Sequence, residues 1–275
     1  MSEKMTIAVI GGTGAEGSGL GLRWAHAGHR VIIGSRDQAK AKMAANELNA
    51  ILGKPLIEGK SSEDAVDGAS IVVLTVPYAA QLSTVEGLLP KLSRKILVDV
   101  TVPLVPPKVS TVQLPECDSA AVALQAKAGP SVRVVSAFQN ISAHKLKNLE
   151  YQIPCDVLVC SDDKDARAVV MGLAVDAGLK GINAGPLANS TVAESLTSVL
   201  IWINRAYKVP DAGISITGLP SSGISLDDQA LMGQLATGDR PSMKRDEDAG
   251  MTKMSRLLRW ILEQAKRLIV HAPIH

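Results

Sequence analysis

The amino-acid sequence predicts an α/β protein built on a doubly wound parallel sheet of the Rossmann type. Short, continuous apolar runs recur along residues 7–160, as expected for strands that are buried on both faces of a sheet. Helical patterns separate these runs, and this alternation favours βαβ units with parallel strands. A cluster of glycines follows the first apolar run directly and opens the first helix.

Six strands are predicted from the apolar runs. In chain order they cover residues 7–10, 31–33, 71–74, 96–100, 132–135 and 156–160. The first three consist only of Ile, Val, Leu and Ala, the residue types expected where both faces of a strand are covered. Residues 101–115 are rich in proline and have no hydrophobic period, so they predict a loop.

Helices are predicted between the strands. In chain order they cover residues 17–27, 37–52, a short turn from 61, 79–92, 119–128, 162–177 and 191–207. Asp37 is placed to cap the second helix, and Gly28 and Gly53 are placed to end the first two. The last helix is long and apolar-rich, which indicates burial on more than one side, against a small C-terminal domain or a subunit interface.

Composition excludes several other classes of protein. The chain has 29 Lys and Arg against 27 Asp and Glu, and this balance does not provide the concentrated basic surface that nucleic-acid binding requires. It has no run of 18 apolar residues, so no membrane-spanning helix is expected. Three cysteines and five histidines form no metal-ligand spacing, and no metal site is predicted. Since no apolar signal segment is present, we expect a cytoplasmic protein.

The most specific motif is the loop from Gly11 to Gly17, directly after the first strand. Gly12, Gly14 and Gly17 have the G-x-G-x-x-G spacing, with Thr13, Ala15 and Glu16 between them. Glycines here allow a tight turn, a close approach of the backbone to a pyrophosphate, and close packing of helix on strand. The free N–H groups at the helix N-terminus then face the phosphates. The sequence therefore predicts a dinucleotide site.

The end of the second strand predicts which dinucleotide binds. Proteins that bind NAD usually have an acidic residue there to bond the ribose hydroxyls. This chain has Ser35 and Arg36 instead, followed one helical turn later by Lys40. A guanidinium group can hold a 2′-phosphate with two hydrogen bonds, and the hydroxyls of Thr13 and Ser35 can add others. The pattern favours NADP(H) over NAD(H).

A longer set of residues resembles the NADP-dependent oxidoreductases of coenzyme F420, over about residues 5–219. The matching segments are residues 10–14, Gly17 and Leu20, 27–29, 33–36, 73–77, 135–137, 184–190 and 194–197. The resemblance implies a Rossmann domain with a small C-terminal part, usually in a homodimer. It also implies hydride transfer between NADP(H) and a deazaflavin, with F420 as co-substrate. The two cofactors carry that chemistry, so no catalytic residue is predicted.

The resemblance also implies roles for individual residues. Thr13, Ser35, Arg36 and Lys40 would hold the 2′-phosphate end of NADP(H). Thr75, Val76 and Pro77 would line the cofactor beyond the third strand, and Ile141 and Ala143 would lie near the nicotinamide. Ser195 and Thr197 match positions on the deazaflavin side.

Three residues depart from the family pattern, and all lie on the acceptor side. Gln139 stands where a histidine is expected, Thr191 where an arginine is expected, and Tyr78 where a tryptophan is familiar. A neutral amide and a hydroxyl cannot supply the charge of the residues they replace. Gln139 and Thr191 are therefore candidate substrate residues. Glu194 can either orient a substrate or bond to backbone, and Phe138 can either pack beneath the sheet or shape the acceptor pocket.

Three hypotheses for function remain open at this point. The first is a hydride transfer between NADPH and F420. The second is an NADPH-dependent reductase of another small acceptor, such as a flavin, quinone, carbonyl or imine, on the same scaffold. The third is a protein that senses NADP(H) without being an enzyme.

The expected domain organisation has three parts. Residues 1–150 form the NADP-binding Rossmann domain, residues 151–219 a small domain on the acceptor side, and residues 220–275 an extension. Within that extension, residues 251–270 have apolar positions at spacings of three and four and a basic opposite face, which predicts an added C-terminal amphipathic helix.

Overall fold

The computed structural model describes residues 4–219 of the chain. The chain divides into two compact units, Met1–Ala236 and Thr237–His275, and every described residue belongs to the first. The amphipathic helix predicted at residues 251–270, with the rest of the 220–275 extension, lies outside the described residues.

A parallel sheet forms the centre of the described chain, as predicted, and it has six strands, of which five were predicted. Its strands are β1 (Thr6–Ile10), β2 (Arg30–Ser35), β3 (Ile57–Ser61), β4 (Ile71–Leu74), β5 (Ile96–Asp99) and β6 (Arg133–Ser136). They are ordered β3-β2-β1-β4-β5-β6, so the direction of winding reverses between β1 and β4. In such sheets ligands bind beyond the carboxyl ends of the strands at this reversal, which is also where the glycine loop follows β1.

A second, smaller sheet pairs β7 (Asp156–Val159) with β8 (Lys180–Asn183), also in parallel. It is joined to the main sheet by an antiparallel bridge between Ser136 and Cys160. The helices are α1 (Ala15–His26), α2 (Gln38–Leu52), α3 (Ser62–Asp67), α4 (Gln81–Leu92), α5 (Ala120–Ala128), α6 (Ala143–Leu146), α7 (Lys164–Asp176) and α8 (Ser190–Tyr207).

The predicted strands and helices are found with ends that differ by no more than two residues. The strands that sequence patterns missed are β3 and β8. Both lie at the edge of a sheet, pair on one side only and contain a glycine and a lysine. Edge strands need no continuous apolar run, because one side is open to solvent.

The apolar core has two layers, one on each face of the main sheet. Along β1, Ile7 and Val9 face the layer beneath α1, α2 and α7, while Ala8 and Ile10 face the layer beneath α3, α4 and α5. Each fully buried large side chain contributes roughly 1.5–3 kcal/mol. With only one phenylalanine in the chain, aliphatic side chains fill most of both layers.

Two buried polar side chains, Arg23 on α1 and His29 after it, bond to residues 145–151 and to the C-terminal end of α7. The Arg23 guanidinium donates to backbone carbonyls of the 145–151 segment and to Ala177 O, with distances of 2.8–3.4 Å. His29 is fully buried, and its Nε2 lies 2.9 Å from Asp176 Oδ2. Its Nδ1 accepts from Met5 N, so the proton resides on Nε2.

Candidate functional site: a dinucleotide cavity and its acceptor side

The glycine loop brings α1 very close to the carboxyl end of β4. Gly11 has φ +81°, a conformation that favours glycine. A Cβ atom on Gly17 would lie 2.4 Å from Thr75 Oγ1, and the Thr75 hydroxyl itself donates to Ile10 O at 3.0 Å. Only glycine fits at position 17, so the loop, β1 and β4 are packed into one unit at the reversal of the sheet.

A cavity of about 480 Å³ opens beside this loop, within the range of small-molecule sites. It is lined by Ile10, Gly11, Thr13, Gly14, Glu16, Ser35, Arg36, Ser62, Thr75, Val76, Pro77, Ala80 and Thr84. The N-terminus of α1 borders it, with free backbone N–H groups and a partial positive charge that suit a phosphate. The cavity therefore combines a glycine loop whose geometry suits a phosphate with one exposed guanidinium group, that of Arg36, directly after β2.

Seven of the residues predicted to bind the cofactor line this cavity: Thr13, Gly14, Ser35, Arg36, Thr75, Val76 and Pro77. Gly12 and Gly17 lie beneath it, where they allow close packing of the backbone. Lys40 is exposed on α2, with Nζ 4.0 Å from Asp37 Oδ2, and Ala15 is exposed at the start of α1. Ile141 and Ala143 lie outside the cavity lining, in the segment that follows β6.

Six lining residues were not among the predicted cofactor residues: Ile10, Gly11, Glu16, Ser62, Ala80 and Thr84. Ser62 follows β3, the strand that the sequence pattern missed, so its place beside β2 had no sequence signal. Glu16 was visible within the glycine motif, but the motif does not determine which way its side chain turns. Burial raises the pKa of the Glu16 carboxyl to about 8.

A buried polar cluster lies at the carboxyl end of β5, next in the sheet to β4. The Gln81 amide Nε2 donates to Asp99 Oδ2 at 2.6 Å and to Thr101 Oγ1 at 2.7 Å. The Thr101 hydroxyl donates to Asp99 Oδ1 at 2.7 Å. Burial raises the pKa of Asp99 to about 7, although these hydrogen bonds lower it. Gln81 Oε1 is buried without a hydrogen-bond partner among the described residues.

Glu194 connects α8 to the first turn of α5. Its carboxylate accepts from Ala120 N at 2.7 Å and from Ala121 N at 3.1 Å, while the hydroxyls of Ser119 and Ser190 bond to each other at 2.7 Å alongside. Of the two roles considered for Glu194, bonding to backbone is the one found. Burial raises its pKa to about 7 despite the backbone donors.

The segment after β6 is held in an unusual backbone conformation. Phe138 has φ +74°, which is rare for a bulky side chain, and its ring packs edge-on against Trp24 with 5.7 Å between ring centroids. The ring is fully buried, so of its two predicted roles the structure shows packing. The contact joins the segment after β6 to α1, the helix that begins at the glycine loop.

Two of the predicted substrate residues, Gln139 and Thr197, hold the segment after β6 in place through hydrogen bonds within the protein. The Gln139 amide donates to Asp99 O at 2.9 Å and to Ser136 Oγ at 2.8 Å. The Thr197 hydroxyl donates to Gln139 O at 2.9 Å and accepts from Asn140 Nδ2 at 3.2 Å. These bonds attach the segment after β6 to β5 on one side and to α8 on the other.

Thr191 and Ser195 lie nearer the surface of α8. The Thr191 hydroxyl donates to Ala188 O at 3.0 Å, in the turn that precedes the helix, and both residues are half-buried. Within residues 4–219, no group of three or more His, Cys, Asp or Glu side chains could hold a metal ion. No helix in the same range is both long and apolar enough to cross a membrane.

The winding of the sheet, the glycine loop at its reversal and the cavity beside that loop define a Rossmann-type dinucleotide-binding protein. A family model described as NADP oxidoreductase, coenzyme F420-dependent, matches residues 6–103. The F420-dependent NADP reductase of Methanothermobacter thermautotrophicus is 42% identical over 224 residues, which cover 78% of this chain and 96% of that protein. The chain belongs to this family of oxidoreductases.

A second relative agrees with this family assignment, and one solved structure shares the fold. The F420-dependent NADP reductase of Methanocaldococcus jannaschii is 39% identical over 78% of this chain and 99% of its own length. Among solved structures, an imine reductase from Aspergillus terreus superposes with a TM-score of 0.52 at 15% identity, covering 100% of this chain and 81% of that one. At such low identity the likeness shows a shared fold only.

Proposed function

We propose that this protein transfers a hydride between NADP(H) and a deazaflavin acceptor of the F420 type. The observation that carries the proposal is the cavity itself, where a phosphate-binding glycine loop faces Ser35 and Arg36 in place of an acidic residue. That exchange suits a 2′-phosphate and removes the usual partner of the NAD ribose. The names of the 38–42% identical relatives supply the acceptor.

The residues of the chain bind and orient the cofactor. The N-terminus of α1 suits the pyrophosphate, and Thr13, Ser35 and Arg36 suit the 2′-phosphate end. Thr75, Val76 and Pro77 provide the wall at the end of β4. When bound, NADPH supplies the hydride. The rate of hydride transfer then depends on holding the donor and acceptor atoms about 3–3.5 Å apart. A rigid scaffold can hold them so without a catalytic side chain.

On the acceptor side, Gln139, Thr191, Ser195 and Thr197 remain our proposed substrate residues, with Ile141 and Ala143 near the nicotinamide. Gln139 and Thr197 would act by fixing the segment after β6, since their polar groups are already bonded within the protein. Local hydrogen bonds thus accommodate two of the three departures from the family pattern, Gln139 and Thr191, and nothing in the geometry of these two residues favours a different acceptor over F420.

The test is to mix the purified protein with NADPH and oxidised F420 and to follow the visible absorption band of the deazaflavin. We expect bleaching at catalytic concentrations of protein. The variant Arg36→Ala is the matched control. Its reaction should be slow at low NADPH concentration, and the rate should recover at high NADPH concentration. NADPH binding without any bleaching of F420 would refute the proposed acceptor and leave the cofactor assignment standing.

We also propose the division of the chain into a Rossmann domain at 1–150, an acceptor-side domain at 151–219 and an extension at 220–275. The main sheet ends at Ser136 and the second sheet begins at Asp156, which supports a boundary between them. Limited proteolysis followed by mass spectrometry would test it, with first cuts expected near residues 150 and 220.

A homodimer that works in the cytoplasm completes the proposal. The outer face of α8 exposes Val192, Val199, Trp202 and Tyr207, with Trp202 62% exposed, and apolar side chains at this spacing suit a subunit interface. The three cysteines are free thiols, as is usual in a reducing compartment. Light scattering should give twice the mass of the chain for the native protein and a smaller mass for Trp202→Glu, with Glu47→Gln on α2 as control.

A further inference from the structure

Glu16 places a carboxyl group inside the cavity that we assign to NADP(H). It is the second residue of α1, it is half-buried, and it lines the cavity together with Thr13 and Gly14 of the glycine loop. No hydrogen-bond donor or cation among the described residues pairs with this carboxyl group. Burial is the one cause that raises its pKa. The group therefore has no internal partner that would stabilise its negative charge.

The bound dinucleotide would make that charge still less favourable. NADP(H) brings the negative charges of a pyrophosphate and of a 2′-phosphate, which itself carries about −1.5 to −2 at neutral pH. Like charges within a few ångströms disfavour ionisation. The partial positive charge at the N-terminus of α1 attracts both the phosphates and an ionised Glu16, so the two compete for the same N–H groups.

The other ionisable groups around the cavity do not remove this conflict. Arg36, at the end of β2, is the other charged residue among those that line it. On the bordering elements, Lys40 lies on α2, Glu63 and Asp64 open α3, and Tyr78 follows β4. Arg36 and Lys40 are both exposed and are the groups that suit the 2′-phosphate, whereas the remaining three add no positive charge.

We propose that Glu16 takes up a proton when NADP(H) binds and remains a neutral carboxylic acid in the complex. The inference rests on the proposed function, because it requires the phosphates to occupy this cavity. A neutral acid can donate a hydrogen bond from its O–H group to a phosphate or ribose oxygen, whereas a carboxylate can only accept one. Glu16 is thereby a determinant of cofactor affinity whose contribution depends on pH.

The direction of the pH dependence follows from linkage. Burial already raises the pKa of Glu16 to about 8 in the free protein, so near neutral pH the group is largely protonated and binding requires little proton uptake. Above pH 8 the free protein must first be protonated. The dissociation constant of NADPH should then increase by up to about tenfold for each further pH unit, while it changes little between pH 6.5 and 7.5.

The experiment measures NADPH binding by fluorescence titration between pH 6.5 and 9.5 for the native protein and for Glu16→Gln. Glutamine has the size of the protonated acid and does not titrate, so its dissociation constant should stay flat above pH 8. Glu63→Gln, an exposed carboxyl group on the neighbouring α3, is the matched control and should keep the native profile. The 2′-phosphate is fully ionised above pH 8 and contributes no slope there.

Calorimetry of the native protein gives a second readout that needs no variant. Titration at pH 8 in two buffers of different ionisation enthalpy should reveal uptake of about half a proton for each NADPH bound. Zero uptake, or equal pH profiles for native protein and Glu16→Gln, would overturn the role of Glu16. Absence of NADPH binding at every pH, in all three proteins, would instead overturn the proposed function.

Discussion

Replacing Glu194 by glutamine should remove a pH-dependent contribution to stability of about 3 kcal/mol between pH 4.5 and 7.5. Glu194 is 1% exposed, and burial raises its pKa from 4.5 to about 7 in the folded chain. At about 1.4 kcal/mol for each pH unit, this difference corresponds to about 3 kcal/mol. The folded state holds a proton that the unfolded state has released, so this contribution to stability is complete below pH 4.5 and lost as pH rises towards 7.

The assay is urea unfolding of the native protein and of Glu194→Gln at several pH values, with the exposed Glu47→Gln as control. The free energy of unfolding of the native protein, relative to that of Glu194→Gln, should fall by about 3 kcal/mol from pH 4.5 to 7.5. Asp99, whose pKa burial also raises to about 7, remains in both proteins and ionises more readily without its charged neighbour. Parallel curves for the two proteins across this range would refute the reasoning.

Three further predictions concern the packing and specificity of the site. Gly17→Ala should lower the free energy of unfolding in urea by about 1–3 kcal/mol, because its Cβ would lie 2.4 Å from Thr75 Oγ1. Gly87→Ala, in open space on α4, should instead raise it by about 0.5–1 kcal/mol. Equal effects of the two substitutions would contradict the packing argument. Arg23→Met should cost about 3–5 kcal/mol, since several buried carbonyls lose their donor, and a cost below 1 kcal/mol would be inconsistent with that. Arg36→Ala should weaken NADPH binding about 10–100-fold in a fluorescence titration and NADH binding far less; equal losses would remove the 2′-phosphate assignment.

The parts of the fold that sequence patterns predicted are those determined by local chemistry. Asp37 accepts a hydrogen bond from Lys40 N in the first turn of α2, as predicted for a capping residue. Gly28 and Gly53 have φ values of +98° and +69° and stand where the first two helices end. A cap needs only its own neighbours in the chain, so one sequence suffices to identify it.

The parts that sequence patterns missed depend on neighbours distant in the chain. β3 and β8 gain their order by pairing with one strand each, and their mixed composition gives no period by which to recognise them. The bond from the Gln139 amide to Asp99 O, at the end of β5 and 40 residues away in sequence, likewise had no sequence signal. A polar residue in a loop has many possible partners, and only the folded arrangement of strands selects one.

The raised pKa values of Asp99 and Glu194 at the sheet edge, and of Glu16 in the cavity, have one cause in this architecture. A doubly wound sheet directs the carboxyl ends of its strands, and the first turns of its helices, towards the same edge, so polar groups that serve a ligand also become buried. Hydrogen bonds within the protein partly offset the cost of burying the carboxyl groups of Asp99 and Glu194. Protonation of these two groups therefore affects stability. Glu16 lacks such partners and faces the cavity, so its protonation is free to respond to the cofactor.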